Sequence, residues 1–320
     1  MKNRILLSCP DAGLPQKERI KVLEDTIAVW IRSEALNELV RLFGGNVPEG
    51  SLKEQIEYCN GFSEVWNYRK KKANGGERWL VQEDEFIKEH SEAIMEYMGC
   101  LGLTGITEPC CKPDYVLPLG GARMSNLDRC LATGEVCEKY PGEAIPVIAL
   151  TGMRPINEIE RPFLAHYAPE AQTEYDAVCG GIEKAFHLPE DAGTEEVHFN
   201  ENINLSWAER HYDNARRMIH VLSAPSTDSE RRANSMDTFR FFLEKYQPKP
   251  ESKMLLVTSC VYVPFQLMKF MDLALENDFY VECIGNRDYA HSPAVLNAAS
   301  YLQELKAAIN AVHALAEKYF

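Results

Sequence analysis

The stretch from Asp114 to Asn126, DYVLPLGGARMSN, constrains the fold of this chain more than any other. Its first half is a short apolar run, Gly120 and Gly121 permit a tight turn, and a helical pattern begins at Met124. A strand that passes through a glycine turn into a helix is typical of a parallel α/β sheet. Such a unit places backbone N–H groups and a helix N-terminus at the carboxyl end of the strand, where polar or anionic ligands bind.

Strands and helices alternate from this unit to the end of the chain. Apolar runs predict five strands, at 115–119, 145–150, 195–199, 253–258 and 279–284. Helical periodicity predicts helices near 124–139, 172–186, 206–222, 231–246 and 264–276, and a closing helix over 294–318. We therefore predict an α/β fold with a mostly parallel, five-strand, Rossmann-like sheet and helices on both faces.

The first part of the chain differs, because helical periodicity and helix-ending glycines account for all of it. Ser51 and Glu54, for example, form the capping-box pattern that begins a helix. We predict an all-helical N-terminal region over 1–112 and an α/β domain over 113–320.

An excess of acidic residues limits the classes of partner. The chain has 48 Asp and Glu against 34 Lys and Arg, a net charge of −14, which repels the phosphate backbone of nucleic acids. No segment reaches the roughly 20 apolar residues of a membrane span. The ten cysteines lack C-x-x-C spacing, so we expect reduced thiols, a cytoplasmic location and no metal site.

Polar residues follow each predicted strand, at the edge where parallel sheets bind ligands. Each group alone is also explained by a tight turn or a helix cap, but their common location predicts one polar pocket. The dinucleotide-binding pattern G-x-G-x-x-G and the hydrolase pattern G-x-S-x-G are both absent. In chain order the candidates are Gly120, Gly121, Arg123 and Asn126; Thr151, Gly152 and Arg154; Glu201, Asn202 and Asn204; Thr258, Ser259 and Tyr262; and Asn286 with Arg287.

The order of these strand ends resembles the YdcF/SanA/ElyC-like family, a Rossmann-like domain of unknown function. The resemblance spans about 115–285 and rests on LPLGGARMSNLDRCLATGE, VIALTGMRP, TEYDAVCGG, ENINLSWAERHYDNA and MLLVTSCVYVPFQLMKFMD. Members of that family are associated with envelope biogenesis, and one branch with binding S-adenosylmethionine.

The resemblance implies a set of pocket residues and also departs from the family pattern. Tyr262 and Phe265 stand where the family has His and Arg, which weakens the case for catalysis. The implied pocket residues are Gly120, Gly121 and Arg123 in the first motif, Thr151 and Gly152 in the second, Glu174 at the acidic helix position, Glu201, Asn202 and Asn204 in the Asn-rich loop, and Thr258 and Ser259 at the fourth strand end.

We therefore expect a small-molecule-binding protein that holds a nucleotide-like ligand, such as S-adenosylmethionine, at the strand ends. The glycine turn would let the ligand approach the backbone, Arg123 or Arg154 would pair with a carboxylate or phosphate, and Glu201 or Asn202 would bind hydroxyls. Two alternatives stay open, a non-catalytic interaction or regulatory protein with a degenerate site, and an envelope-related hydrolase. The sequence leaves open whether there is a reaction.

Overall fold

The computed structural model describes residues 4–68, 81–189, 192–212, 216–286 and 296–320. These residues divide into two units. Unit 1 takes the described residues of Met1–Ile106, Cys260–Glu276 and Ala294–Phe320, and unit 2 those of Thr107–Ser259 and Asn277–Pro293. The boundary that we placed near residue 112 stays a prediction.

Helices and strands alternate through the second part of the chain, as the sequence indicates. The α-helices of the described residues are α1 (Gln16–Ile31), α2 (Glu34–Leu42), α3 (Leu52–Phe62), α4 (Glu85–Cys100), α5 (Ser125–Glu138), α6 (Arg161–Leu164), α7 (Glu174–Phe186), α8 (Ser235–Tyr246), α9 (Val263–Glu276) and α10 (Ala298–Tyr319). The strands are β1 (Tyr115–Pro118), β2 (Val147–Gly152), β3 (Gly193–His198), β4 (Trp207–Tyr212), β5 (Ile219–Ala224), β6 (Lys253–Ser259) and β7 (Tyr280–Asn286).

Unit 1 contains helices α1–α4, α9 and α10, which confirms the helical N-terminal region. The predicted capping box begins α3, because the Ser51 hydroxyl accepts from the Glu54 N–H and the Glu54 carboxylate accepts from the Ser51 N–H. In α1, Leu23, Ile27 and Trp30 recur at helical spacing and are fully buried. The apolar residues of this helical pattern therefore form the face of α1 that is buried in the core.

The sheet of unit 2 has seven strands in the order β3-β4-β5-β2-β1-β6-β7. Strands β5, β2, β1, β6 and β7 pair in parallel, whereas the β3–β4 and β4–β5 pairs are antiparallel. The α/β class and the mostly parallel sheet are confirmed, but the finer prediction of five Rossmann-like strands is not.

The strand count differs because the described residues of 206–222, a segment that we predicted to be a helix, include β4 and the first part of β5. Ala208, Arg210 and Tyr212 share one face of β4, and Ala208 and Tyr212 are buried there in the core of unit 2. Pairing of Ala208 with Ser223 and of Tyr212 with Ile219 completes the antiparallel ladder. Contacts between distant residues thus decide the structure of this segment.

Helices of unit 2 cover both faces of its sheet. Val116 of β1 packs in a buried core with residues of α5 and α7, including Cys130 and Ile182. The preceding residue, Tyr115, points to the opposite face, where its ring contacts Phe242 of α8 at a centroid distance of 5.5 Å.

The order of the parallel strands reverses between β1 and β6, with earlier strands on one side of this point and later strands on the other. Taken alone, β5-β2-β1-β6-β7 are the third, second, first, fourth and fifth parallel strands along the chain. Connections therefore leave β1 toward one side of the sheet and return at β6 on the other. In open α/β sheets, the carboxyl ends of the strands at such a position form the crevice that binds ligands.

Candidate functional site

The glycine turn lies at the carboxyl end of β1, where side chains from neighbouring elements approach its backbone. A Cβ atom on Gly120 would lie 2.6 Å from Oε1 of Glu174 and 2.7 Å from Oγ1 of Thr151. A Cβ atom on Gly121 would lie 2.9 Å from Nη1 of Arg129. A side chain at Gly120 would collide with Thr151 as well as Glu174, whereas one at Gly121 would first have to displace the flexible end of Arg129.

Helix α7 begins beside this turn, and a capping box at Thr173 and Asp176 fixes its first residue. The Thr173 hydroxyl accepts from the N–H of Asp176, and the Asp176 carboxylate accepts from the N–H of Thr173 at 2.8 Å. The Glu174 N–H then donates to the carbonyl oxygen of Arg154 at 2.8 Å. These bonds hold the Glu174 side chain, which is 15% exposed, at the end of β2.

Arg154 stands at the centre of a group that we call the arginine cluster, namely Thr151, Arg154, Glu160 and Glu174. Its Nη1 and Nη2 donate to the Glu160 carboxylate at 2.7 and 2.9 Å, and its Nε donates to Glu174 at 2.9 Å. The Thr151 hydroxyl donates to the other oxygen of Glu174 at 3.1 Å. Arg154, a predicted partner for a ligand anion, is therefore bound by two carboxylates of the protein.

Glu160 is fully buried and ionised in this cluster. Burial alone would raise the pKa of its carboxyl group, but the hydrogen bonds and charge of Arg154 outweigh it and lower the pKa. The positive charge of Arg123 acts in the same direction. Arg123 itself is buried, has a φ of 55°, and lies with its guanidinium 4.9 Å from the ring centroid of Phe163.

Arg129 of α5 joins the ends of β1 and β6, and the sequence analysis missed it. Its Nη1 donates to the carbonyl oxygens of Leu119 and Gly120 at 2.8 and 2.6 Å, and its Nη2 lies 3.3 Å from Oγ of Ser259. One turn earlier on α5, Oδ1 of Asn126 accepts from the N–H of Gly121 at 2.7 Å. Residues three apart on a helix share a face, so the predicted site residue Asn126 could have indicated that Arg129 also faces the turn.

The other candidates at the strand ends have different surroundings. Thr258 is fully buried on β6, and its hydroxyl has no hydrogen-bond partner among the described residues. Gly152 is half-buried, with only ordinary contact distance to Ala233 for an added Cβ. Tyr262 is buried within unit 1, in a short 3₁₀ helix, whereas Arg287 lies outside the described residues.

The Asn-rich loop between β3 and β4 is tied to the loop that follows β5. The side-chain amides of Asn202 and Asn204 both donate to the carbonyl oxygen of Ser229 at 2.9 Å. Glu201 is exposed. These contacts give the two amides a role in holding two loops together, and their predicted role in a pocket stays a prediction.

A second polar group lies on β4 and β5, and we call Glu209, His211 and His220 the histidine cluster. Oε1 of Glu209 lies 3.3 Å from Nε2 of His211 and 3.5 Å from Nδ1 of His220. The three ligand atoms all lie within 4.8 Å of one another. Among the described residues, this group has the composition and spacing to hold a metal ion, which the sequence spacing did not reveal.

Fold and site together define a class, an α/β protein with a mixed sheet and polar side chains at the β1–β6 crossover. Residues 15–102 match a family described as the Rv3785 N-terminal domain. The chain is similar to the uncharacterized protein Rv3785 of Mycobacterium tuberculosis and to the uncharacterized protein Mb3814 of Mycobacterium bovis. Each is 28% identical over 339 residues, which cover 97% of this chain and 94% of the relative. No solved structure matches the chain.

These similarities overturn the resemblance to the YdcF/SanA/ElyC-like family, which is wrong. The matching family lies within 15–102, a region outside the resemblance, and the relatives that match nearly the whole chain are Rv3785 proteins. The order of glycine-rich and hydroxyl-bearing strand ends is shared by many parallel α/β sheets, so it did not identify a family. The expectations of S-adenosylmethionine and of an envelope-related hydrolase came from that resemblance and lose their support.

Proposed function

We propose that this chain binds a small, nucleotide-like polar ligand at the carboxyl ends of β1, β2 and β6. The observation that supports this most is the convergence of three elements at the crossover of the parallel strands. There the half-buried glycine turn, the Glu174 carboxylate and the Arg129–Ser259 contact meet around one strand, β1.

Glu174 is the side chain that we assign to ligand hydroxyl groups. Its Oε1 accepts from the Thr151 hydroxyl beside Gly120, and its side chain retains 15% exposure. A carboxylate can accept several hydrogen bonds, so both oxygens can bind hydroxyls in addition to their protein donors. An acidic side chain with this role binds ribose hydroxyls in dinucleotide-binding sheets.

The turn and the start of α5 suit the anionic part of the ligand. Helix α5 has 14 residues and begins at Ser125, and its N-cap residue Met124 provides no side-chain cap. The first N–H groups of a helix carry partial positive charge and bind anions. Arg154 is bound to Glu160 and Glu174, so we no longer assign the anion to it.

We further propose that the protein works in the cytoplasm. All ten cysteines are free thiols, and eight of them are buried, for example Cys130 and Cys179 in unit 2. Persistent free thiols are typical of reducing compartments. Among the described helices, none combines the length and apolar character needed to cross a membrane.

Native mass spectrometry of the full chain, purified without denaturation, tests the proposed ligand. We expect a retained small molecule, or a rise in melting temperature when a panel of nucleotides and nucleotide sugars is added. Glu174→Gln preserves the size of the side chain and should weaken the affinity by at least about tenfold, a loss typical of one charged hydrogen bond.

Glu158→Gln is the matched control, because Glu158 is an exposed acidic side chain of the loop that follows β2. It should leave the affinity unchanged. A ligand that binds Glu174→Gln as tightly as the wild-type chain would place the pocket elsewhere. Absence of any retained molecule, together with no stabilisation by the panel, would contradict the proposal.

A further inference from the structure

We infer that the histidine cluster is a binding site for one divalent transition-metal ion, with Glu209, His211 and His220 as its ligands. This site is separate from the proposed ligand pocket, and the inference does not depend on that pocket. It rests on where the strands place the three side chains, on the distances between their ligand atoms and on the residues that surround them.

The pairing of β4 with β5 brings the three side chains to one face of the sheet. His211 and His220 are direct partners across the two antiparallel strands. Glu209 precedes His211 by two residues on β4, so both side chains point to the same face. Side chains that are opposite on antiparallel strands have Cβ atoms about 4.5–5.5 Å apart, which lets their tips converge on one ion.

Two of the three distances between ligand atoms, those from Glu209 to each histidine, match the spacing in a tetrahedral zinc site. Zn²⁺ binds histidine nitrogen and carboxylate oxygen at about 2.0–2.2 Å, so two ligand atoms at the tetrahedral angle lie about 3.3–3.5 Å apart. Oε1 of Glu209 lies at 3.3 Å from the His211 nitrogen and at 3.5 Å from the His220 nitrogen. Glu209 therefore already stands at ligand distance from both rings.

The donor set also has the right chemistry. Two imidazoles and one carboxylate are the ligands of sites that bind Zn²⁺ or Fe²⁺ and keep further positions open for water or substrate. The Nε2 atom of His211 is shielded from solvent and makes no hydrogen bond to the described residues. The polar neighbour of this atom is Oε1 of Glu209, at 3.3 Å but without hydrogen-bond geometry, and a metal ion bound by both atoms would satisfy the nitrogen.

Lys245 orients the carboxylate of Glu209 by binding the oxygen that does not contact the histidines. Its Nζ lies 2.6 Å from Oε2 of Glu209, which leaves Oε1 directed at the histidines. The same ammonium group lies 3.9 Å from the ring centroid of Trp207, so its position is fixed from two sides. Burial alone would raise the pKa of Glu209, but hydrogen bonds from His220, Lys245 and Tyr246 lower it well below its usual range.

Two adjustments accompany metal binding. The rings of His211 and His220 stack at 4.0 Å with an angle of 5°, and an ion cannot lie in two parallel ring planes at once. One ring must turn, and His211 is the one with space, since its side chain is 43% exposed against 14% for His220. Tyr246, whose hydroxyl donates to Oε1 of Glu209 and lies 2.5 Å from Nδ1 of His220, must also release these two ligand atoms.

Metal titration of the full chain tests this inference. After removal of metal with a chelator, the chain is titrated with Zn²⁺ by calorimetry and with Co²⁺ by visible absorption. We expect one ion per chain, with the Co²⁺ spectrum of nitrogen and oxygen ligands. His211→Ala should weaken Zn²⁺ binding by more than about 100-fold, which exceeds the usual effect of losing an outer-sphere partner.

His198→Ala is the matched control, because His198 lies on the adjacent strand and stacks on Trp207 without joining the cluster. It should bind Zn²⁺ like the wild-type chain. His220→Ala should lose the ion as His211→Ala does; if this variant at a half-buried position does not fold, the result for His211→Ala decides. The inference is wrong if neither ion binds saturably or if His211→Ala retains wild-type affinity. It is also wrong if Co²⁺ shows a thiolate charge-transfer band, because that band would assign the ion to cysteines such as exposed Cys110.

Discussion

The arginine cluster and the histidine cluster each contain a buried carboxylate of unit 2, Glu160 just before α6 and Glu209 on β4, but they differ in how that carboxylate is paired. Glu160 receives both prongs of the Arg154 guanidinium, and Arg154 also binds Glu174. One carboxylate oxygen of Glu209 contacts the ammonium group of Lys245, and the other contacts the two histidines and the hydroxyl group of Tyr246. The first arrangement is a fixed ion pair between permanently charged groups, whereas the second consists largely of groups that can exchange a proton for a metal ion.

The two pairing patterns point to different roles for the two carboxylates. A bidentate guanidinium satisfies a carboxylate completely and locks the loop that carries it. Glu209 accepts from Lys245 and Tyr246 in addition to its contacts with the two imidazoles, and Nε2 of His211 makes no hydrogen bond in the described part of the chain. We therefore assign a structural role to the Arg154–Glu160 pair and a binding role to the histidine cluster.

The largest expected effect comes from breaking the ion pair at Arg154. Glu160→Ala leaves a buried guanidinium with one carboxylate instead of two, and should lower the free energy of unfolding by about 3–5 kcal/mol. Urea denaturation measures this change. Glu158→Ala, two residues away with a side chain 87% exposed, should change it by less than about 0.5 kcal/mol. Equal effects of the two substitutions would show that the pair at Glu160 is not structural.

An intermediate effect is expected at Glu209, and it depends on pH. Glu209→Gln should lower the free energy of unfolding by about 1.5–3 kcal/mol at pH 7, because it removes a charged hydrogen-bond acceptor. The pKa of Glu209 is lowered in the folded chain from its ordinary 4.5, so the wild-type stabilisation is present above that value and is lost as the pH falls below it. Denaturation curves between pH 7 and 3 should therefore show the two proteins converging in acid. A constant difference would contradict the assignment.

The smallest effect is expected from Tyr246→Phe, which separates stability from metal binding. Loss of the hydroxyl should cost about 1 kcal/mol of folding free energy, the usual contribution of a neutral hydrogen bond. Burial, and next the hydrogen bond to Glu209, raise the pKa of Tyr246, so the phenol stays protonated and competes with an ion for Nδ1 of His220. The variant should bind Zn²⁺ more tightly by calorimetry. Weaker binding would show that the tyrosine oxygen is itself a ligand.

Much of the strand-end site followed from the sequence because its parts are local. The run before Gly120 predicted β1, and the glycine pair predicted the turn, which the packing of Glu174 and Arg129 now explains. The partners of Arg154 could not be predicted, since Glu160 and Glu174 reach it from different elements. The sequence shows that these charges exist, but only the folded loop shows that they neutralise each other.

Local sequence signals were enough to predict the helical N-terminal region and the α/β alternation, because caps and apolar periodicity act within a few residues. They were not enough for β4 and β5, whose pairing partners lie on different strands. In a helix, nine residues separate His211 from His220 by about 13–14 Å and by two and a half turns, on opposite faces. In the β4–β5 ladder the same two residues are direct neighbours. The histidine cluster therefore exists only because β-pairing, a non-local interaction, overrides the local pattern.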